Sequence, residues 1–235
     1  MRKLLSASAA VALALAFAGP AKADLISIGL QEAGTNGGAL TVVGTPSAGA
    51  ESEGPTPYGT FTVQQVSAQS QSALGSPGLL NSQTLDISSS TAGTLHVFVT
   101  ATGLTDAAGL YAFLSTFAVN ALNGSITSVD ETTFLSLANV AFATTNTLDT
   151  APFTAISTAV PEIELRNLTG APFAVTEEYT IVDSGGGTGN TNLTIDLSAT
   201  AVPEPGTLAL LGASLAAFGL IGWTLRRRSG TIAAA

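Results

Sequence analysis

The sequence has 235 residues and an acidic excess, with 16 aspartates and glutamates against seven lysines and arginines. Residues 24–201 contain fifteen of these acids but only one basic residue, Arg166, and therefore carry a net charge of −14. Such a charge repels a phosphate backbone and excludes nucleic acid as a partner. The absence of cysteine also excludes disulfides and thiolate metal sites.

Residues 1–23 have the three parts of a secretory signal peptide. A basic pair is followed by an apolar run over 4–18 and then by an A-x-A triplet whose small residues are Ala21 and Ala23. We expect signal peptidase to cleave after this triplet, because small residues at these two positions define its site. The exported protein would then begin near Asp24.

The middle region, 24–201, alternates apolar and polar residues over short stretches bounded by glycine, proline, asparagine and serine. This pattern is typical of β-strands, and helical periodicity is poor. The predicted strands are 25–30, 39–43, 59–66, 84–88, 94–100, 111–119, 175–182 and 192–198. We expect an all-β ectodomain, an antiparallel β-sandwich with jelly-roll or immunoglobulin-like topology.

Three segments of the middle region are expected not to form strands. Residues 45–57 read as a flexible loop, and 129–143 are expected to form a short helix. Residues 183–190 read as a hairpin loop, because they lack the lysine of a phosphate-binding loop and Thr191 stands where a calcium-binding nonapeptide needs aspartate. Weak calcium binding by Asp183 is the one cofactor interaction left open.

Three pairs of carboxylates could in principle serve a glycoside hydrolase, which needs two of them roughly 5 to 10 Å apart. The pairs are Asp130 with Glu131, Glu162 with Glu164, and Glu177 with Glu178. Their spacing selects none of them. Adjacent residues on a strand face opposite ways, so Glu177 and Glu178 would diverge, and a solvated surface position is expected. His96, the only histidine, is expected to be a sheet residue with local partners. We therefore predict no enzyme and no catalytic or metal site.

Residues 207–225 contain no charge, and a helix of this length at about 1.5 Å per residue nearly crosses a bilayer core. Arg226, Arg227 and Arg228 follow it. The positive-inside rule places these arginines in the cytoplasm as a stop-transfer signal. We expect a C-terminal transmembrane helix, with the acidic ectodomain on the outer side of the membrane.

The segment before this helix, Val-Pro-Glu-Pro-Gly, contains two prolines that keep the chain extended and accessible. Together with the apolar segment and the arginines, residues 202–228 resemble the PEP-CTERM sorting signal of Gram-negative bacteria that make exopolysaccharide. The resemblance implies that an exosortase, a membrane-bound transpeptidase-like enzyme, recognises Pro203, Glu204 and Pro205. The same element is also labelled an ice-binding protein C-terminal domain, a label that concerns the tail alone. A short tail, 229–235, follows the signal.

These signals predict a protein that is anchored in the inner membrane before processing and is then delivered to the cell surface or the exopolysaccharide matrix. The leading hypothesis is a structural or adhesive component. One alternative is a carbohydrate-binding module, although the only tryptophan, Trp223, lies in the apolar tail, where it cannot stack on a sugar. The other alternative is a weak polysaccharide hydrolase.

Overall fold

The computed structural model describes residues 24–89, 91–203, 206 and 210–215. Within them the chain forms fourteen β-strands, a short 3-10 turn over Thr35–Gly38 and a one-turn helix, α1 (Gln71–Leu74). The strands are β1 (Leu25–Glu32), β2 (Thr41–Ala48), β3 (Ala50–Glu53), β4 (Thr56–Tyr58), β5 (Phe61–Ser70), β6 (Gly78–Ser89), β7 (Gly93–Leu104), β8 (Gly109–Asn123), β9 (Ile126–Ser136), β10 (Thr147–Phe153), β11 (Ser157–Thr158), β12 (Ile163–Leu168), β13 (Phe173–Asp183) and β14 (Gly189–Ala201).

The strands form two antiparallel sheets that pack face to face. Sheet A has six strands in the order β10-β9-β13-β7-β1-β2. Sheet B has eight strands, with the order β11-β8-β14-β6-β5-β3, β12 beside β8 and β4 beside β5. The expectation of an antiparallel all-β sandwich is confirmed.

The core lies between the sheets and is filled by every second residue of the long strands, as the period of a strand requires. Leu95, Val97 and Val99 from sheet A are fully buried against sheet B. From the other side, β14 contributes the three inward residues that its sequence predicts. These are Leu193, Ile195 and Leu197, all with no exposed surface.

The expected helix over 129–143 is wrong. Strand β9 covers Ile126–Ser136 and pairs with β13 and β10. The side chains of Val129, Glu131, Thr133 and Leu135 are buried at a spacing of two. Two of these four residues are polar, which hides the strand period from a hydrophobic pattern.

The interpretation of 45–57 as a flexible loop is also wrong. The end of β2 lies there, and β3 and β4 both pair with β5. These strands are short and lie at the edge of sheet B, where most of their side chains are exposed or half-buried. Backbone hydrogen bonds to a neighbour hold such strands, so little hydrophobic alternation marks them in the sequence.

Residues 184–188 do not form a hairpin loop, because β13 belongs to sheet A and β14 to sheet B. The segment instead carries the chain from one sheet to the other. Asp183 holds it there, since its carboxylate accepts hydrogen bonds from the Gly185 amide at 2.6 Å and the Ser125 hydroxyl at 2.9 Å.

The chain leaves the sandwich after β14, where the Val202 amide donates a last hydrogen bond to the Leu110 carbonyl at 2.8 Å. Residues 210–215 are helical and exposed. Across the part of the chain that the structure describes, no helix is long and apolar enough to span a membrane. Most of the predicted span, 207–225, lies outside the described residues. So do the signal peptide with Ala21 and Ala23, Glu204 and Pro205 of the sorting motif, and the basic residues Arg226, Arg227 and Arg228.

Candidate functional site: the polar face of sheet B

The outward-facing side of sheet B carries polar side chains that line up across its central strands. Gln69 on β5 lies opposite Asn81 on β6, and Asn81 lies opposite Asp196 on β14. Asp196 in turn lies opposite Thr116 on β8. The four side chains share a face, because directly paired residues of neighbouring strands point to the same side. They form a first polar row that crosses four strands.

A second polar row runs beside the first, two residues further along each strand. It joins Ser52 on β3, Ser67 on β5, Gln83 on β6 and Thr194 on β14. The Thr194 hydroxyl is positioned by the Asn120 amide, which donates to it at 2.9 Å. We call the two rows together the polar face.

The polar face opens into a groove of about 680 Å³ between β3, β5 and β6. The groove is lined by amides and hydroxyls from both rows, with Gln65 and Glu51 at its margin. The Gln65 amide donates to the Ser52 hydroxyl at 3.0 Å, which orients both side chains. An open, shallow groove of this kind can receive an extended polymer from the side.

Apart from the Asp196 carboxylate, the polar face consists of neutral hydrogen-bond donors and acceptors. A primary amide has two donor hydrogens and an acceptor oxygen, and a hydroxyl can donate and accept. Adjacent strands lie about 4.8 Å apart, so each row offers one such group at each step. The single basic residue of 24–201, Arg166, lies on β12 at the far edge of the sheet, whereas Asp196 is an exposed carboxylate in the first row. The face therefore suits uncharged hydroxyl groups better than anions.

A second polar cluster lies inside the sandwich, formed by Glu177, Tyr179, Ser82 and Glu131, all fully buried. The Tyr179 hydroxyl donates to the Ser82 carbonyl at 2.9 Å and accepts from the Ile195 amide at 3.1 Å. The Ser82 hydroxyl donates to the Glu177 carboxyl and lies 2.7 Å from the Tyr179 hydroxyl. These contacts join sheet A to sheet B through the core.

The carboxyl groups of the two glutamates in this cluster have few hydrogen-bond partners. Among the described residues, neither carboxyl oxygen of Glu131 has a hydrogen-bond partner in good geometry, although the Ala118 backbone is close enough to lower its pKa slightly, and Glu177 Oε1 has no partner either. Burial raises the pKa of Glu131 to about 8. Burial also raises the pKa of Glu177 well above its usual range, against a smaller lowering by the Ser82 hydrogen bond and with a further small increase from the Asp196 carboxylate. Both groups are thus held in the neutral form at moderate pH.

The expectation that these glutamates lie on a solvated face is wrong, because Glu131 and Glu177 point inward while Asp130 and Glu178 point outward. Although Glu131 and Glu177 occupy one cluster, they have no surface through which a sugar could reach them. Burial of both carboxyls does not support a glycosidase site at this pair.

The remaining candidate residues have local roles. His96 Nδ1 lies 2.8 Å from Glu178 Oε1 and 3.1 Å from the Thr180 hydroxyl, and its ring stacks on Phe98 with centroids 6.1 Å apart. This confirms a sheet residue with local partners. Glu164 contacts Arg166 on the same strand.

The part of the chain that the structure describes contains no group of three or more histidine, aspartate or glutamate residues that could hold a metal ion. Both carboxylate oxygens of Asp183 already accept hydrogen bonds from protein groups.

No protein-family model matches this chain. No curated protein matches it either. Among solved structures it is similar to TmCBM61 in complex with β-1,4-galactotriose, at 8% identity and a TM-score of 0.26, over 58% of this chain and 82% of that one.

Two further solved structures are similar at the same level. A structure of carbohydrate-binding modules from the β-sandwich superfamily has 11% identity and a TM-score of 0.30, over 72% of this chain and 70% of that one. The adhesin domain of Epf from Streptococcus pyogenes has 8% identity and a TM-score of 0.33, over 77% and 60%. At these scores the likenesses carry no argument about function.

The polar face is not evident from the sequence alone. A signal was present, since β5 and β6 contain Gln-Gln-Val-Ser-Ala-Gln and Asn-Ser-Gln-Thr, in which amides and hydroxyls recur at alternate positions. What the sequence lacked was the register that places β14 beside β6, which is fixed by pairings between residues a hundred or more positions apart.

Proposed function

We propose that this protein is an exported, non-enzymatic adhesive component of the cell surface or exopolysaccharide matrix that holds a neutral polysaccharide on the polar face of sheet B. The proposal combines the structural or adhesive role and the carbohydrate-binding alternative, because adhesion to a matrix polymer requires a surface that binds it. The observation that carries it is the pair of polar rows, with one hydrogen-bonding side chain on each successive strand.

The arrangement of the polar face favours a polymer over a small ligand. The groove is open to solvent and the polar rows cross several strands, so a chain of sugar rings lying across the strands meets a new amide or hydroxyl at each step. Without an aromatic platform, each sugar is held by hydrogen bonds alone and the affinity of one unit is low. Binding strength then depends on the number of units engaged at once.

The charge of the protein selects the class of polymer. With a net charge of −14 over 24–201, the domain repels a uronic-acid or sulfated chain. A neutral polysaccharide has no such penalty. We therefore expect neutral glucans, galactans or mannans to bind more tightly than alginate or another acidic polymer at low ionic strength.

Replacing Asn81 and Gln83 together with alanine tests the binding surface. These residues lie one in each row, and the loss of two neutral hydrogen bonds should weaken binding about tenfold or more. The measurement is affinity electrophoresis or isothermal titration of residues 24–203 against a panel of neutral and acidic polysaccharides.

The matched control for this test is the double replacement of Thr132 and Thr150 with alanine. These threonines hydrogen-bond to each other at 3.2 Å on the outer side of sheet A. Their removal should leave binding unchanged. Equal binding by the wild type and the Asn81 and Gln83 variant, or no binding to any neutral polymer, would contradict the proposal.

Export and sorting are a separate part of the proposal and rest on the two terminal signals. In a Gram-negative host that has an exosortase, the mature protein should begin at Asp24. Replacing Pro203 and Pro205 with alanine should cause the membrane-bound form to accumulate. N-terminal sequencing and cell fractionation check both results. An intact chain that is soluble in the cytosol and retains Met1 would rule this part out.

A further inference from the structure

Strand β12 (Ile163–Leu168) lies at the edge of sheet B and has a neighbour on one side only. It pairs with β8 from Ile163 to Leu168, and among the described residues no strand pairs with its other edge. An exposed edge of this kind offers backbone N–H and C=O groups to another strand. Natural proteins usually protect such an edge, because it is a template for association.

The outer face of β12 carries two aliphatic side chains, Ile163 and Leu165, followed by the polar side chain of Asn167. Ile163 is 65% exposed and Leu165 is 52% exposed, and Leu114, which lies opposite Ile163 on β8, is 36% exposed. Together these three residues form an uncovered aliphatic strip along the edge of the sheet. Water contact with such a strip is unfavourable, and a partner strand that brought apolar side chains of its own would cover it.

The other face of β12 carries charges in a self-complementary order. Glu164 and Arg166 flank Leu165 and point to the same side, where they contact each other and Arg166 Nη2 also donates to the Thr147 carbonyl on β10 at 3.2 Å. Arg166 is also the single basic residue of 24–201. If two copies of β12 pair antiparallel with Leu165 opposite its symmetry mate, Glu164 of each copy lies opposite Arg166 of the other. A shift by two residues in either direction breaks this match, so charge selects one register.

We propose that β12 is a self-association surface, at which two copies of this chain join their eight-stranded sheets edge to edge about a two-fold axis through Leu165. The contact is isologous, because the same strand serves both partners. The Leu165 side chains meet at the centre, and Ile163 of each copy lies diagonally across from Leu165 and directly opposite Asn167 of the other copy. The exposed ion pairs set the register, and the backbone hydrogen bonds and the aliphatic strip hold the strands together.

The pairing has a structural consequence for the polar face. A two-fold axis between antiparallel strands of one sheet is perpendicular to the sheet, so the outer faces of both copies point the same way. Two polar faces then lie side by side on a continuous sheet. If the polar face binds a polysaccharide, the pair is bivalent towards the same polymer, which raises its apparent affinity. The pairing itself does not depend on that binding.

A cysteine scan tests the register directly, since the native chain has no cysteine and gives no background. In the proposed pair the two Leu165 Cα atoms lie about 4.5 to 5.5 Å apart, within the range of about 4.4 to 6.8 Å that a disulfide spans. The full chain carrying Leu165→Cys, purified in detergent and treated with a mild oxidant, should give a covalent dimer on a non-reducing gel.

The matched control is Ile163→Cys in the same strand and on the same face. Its symmetry mates lie about 14 Å apart along the strand, because each residue adds about 3.4 Å and the mates are four positions out of register. It should therefore not cross-link with itself. A mixture of Ile163→Cys and Asn167→Cys chains should cross-link, since these two positions face each other across the axis.

Charge exchange provides a second readout in the Leu165→Cys background. Glu164→Arg or Arg166→Glu alone places like charges opposite each other and should lower the yield of cross-linked dimer by about threefold or more. The double exchange restores opposite charges and should restore the yield. Equal cross-linking at positions 163 and 165, none at either, or no recovery in the double exchange would overturn the proposal.

Discussion

Replacing Glu131 with glutamine is expected to remove much of the pH dependence of this protein's free energy of unfolding. Glu131 is fully buried on β9, and its pKa is raised from 4.5 to about 8. In the folded state the carboxyl keeps its proton, whereas in the unfolded chain it loses that proton above pH 4.5. The unfolded state is therefore favoured progressively as pH rises from 4.5, until the folded protein also ionises near pH 8.

The sign and size of this effect follow from proton counting. Below pH 4.5 Glu131 is protonated in both the folded and the unfolded state, so its ionisation does not lower the free energy of unfolding. Between pH 4.5 and 8 the folded state binds one more proton, so the free energy of unfolding falls by about 1.4 kcal/mol per pH unit, or about 5 kcal/mol across the window. Above pH 8 the contribution of Glu131 no longer changes. Glu177, whose pKa is also raised, adds to the same trend.

Urea unfolding of residues 24–203 at several pH values between 5 and 8 measures the slope. Glu131→Gln should reduce it by about 1.4 kcal/mol per pH unit. The exposed residue Glu162 provides the control, since Glu162→Gln leaves the buried cluster intact. A wild-type protein that is equally stable at pH 5 and pH 8, or a Glu131→Gln variant with the wild-type slope, would show that the core carboxyl is not neutral.

Replacing Tyr179 with phenylalanine is expected to destabilise the sandwich by about 3 kcal/mol, which is large for the loss of one oxygen. The reason is that the hydroxyl serves several buried groups at once. Without it, the Ile195 amide on β14 loses its acceptor and the Ser82 carbonyl on β6 loses a donor. Water cannot replace the lost hydrogen bond at either atom, because both strands are buried on this face.

The same chemical change at a tyrosine with a less buried partner gives the comparison. Tyr58 is itself buried, but its hydroxyl lies 2.9 Å from the hydroxyl of the half-buried Thr41, where water can replace it. Tyr58→Phe should cost less than about 1 kcal/mol. Chemical denaturation of both variants tests this, and similar losses for the two would mean that the Tyr179 contacts do not bridge the sheets.

The sequence predicts those parts of the fold in which apolar residues alternate. Strands β1, β7 and β14 have clear alternation and were located correctly, and β13 was located through Val175, Tyr179 and Ile181 although Glu177 is also inward. The same rule failed at β9, where Glu131 and Thr133 occupy inward positions, because a polar residue in the core is indistinguishable from a surface residue in sequence. It also failed at β3, β4, β10 and β12, which lie at sheet edges.

The candidate site was harder to predict than the fold, since it depends on which strands are neighbours. Gln83 on β6 and Thr194 on β14 are brought opposite each other only when the two strands pair. Local pattern locates a strand and its faces but carries no information about its partner. The terminal signals differ in this respect. An apolar run and a cleavage motif consist of residues that are consecutive in the chain, so they can be predicted without knowing the fold.

The polar face of sheet B is tested most directly by following its side-chain amides in solution. Nuclear magnetic resonance of residues 24–203 resolves the NH₂ groups of Gln65, Gln69, Asn81 and Gln83, and a neutral polysaccharide is then titrated into the sample. The polymer is expected to shift these amide signals while leaving the His96 ring signals on sheet A unchanged. Shifts confined to the His96 side, or no shift with any neutral polymer, would contradict the assignment of this face as the binding surface.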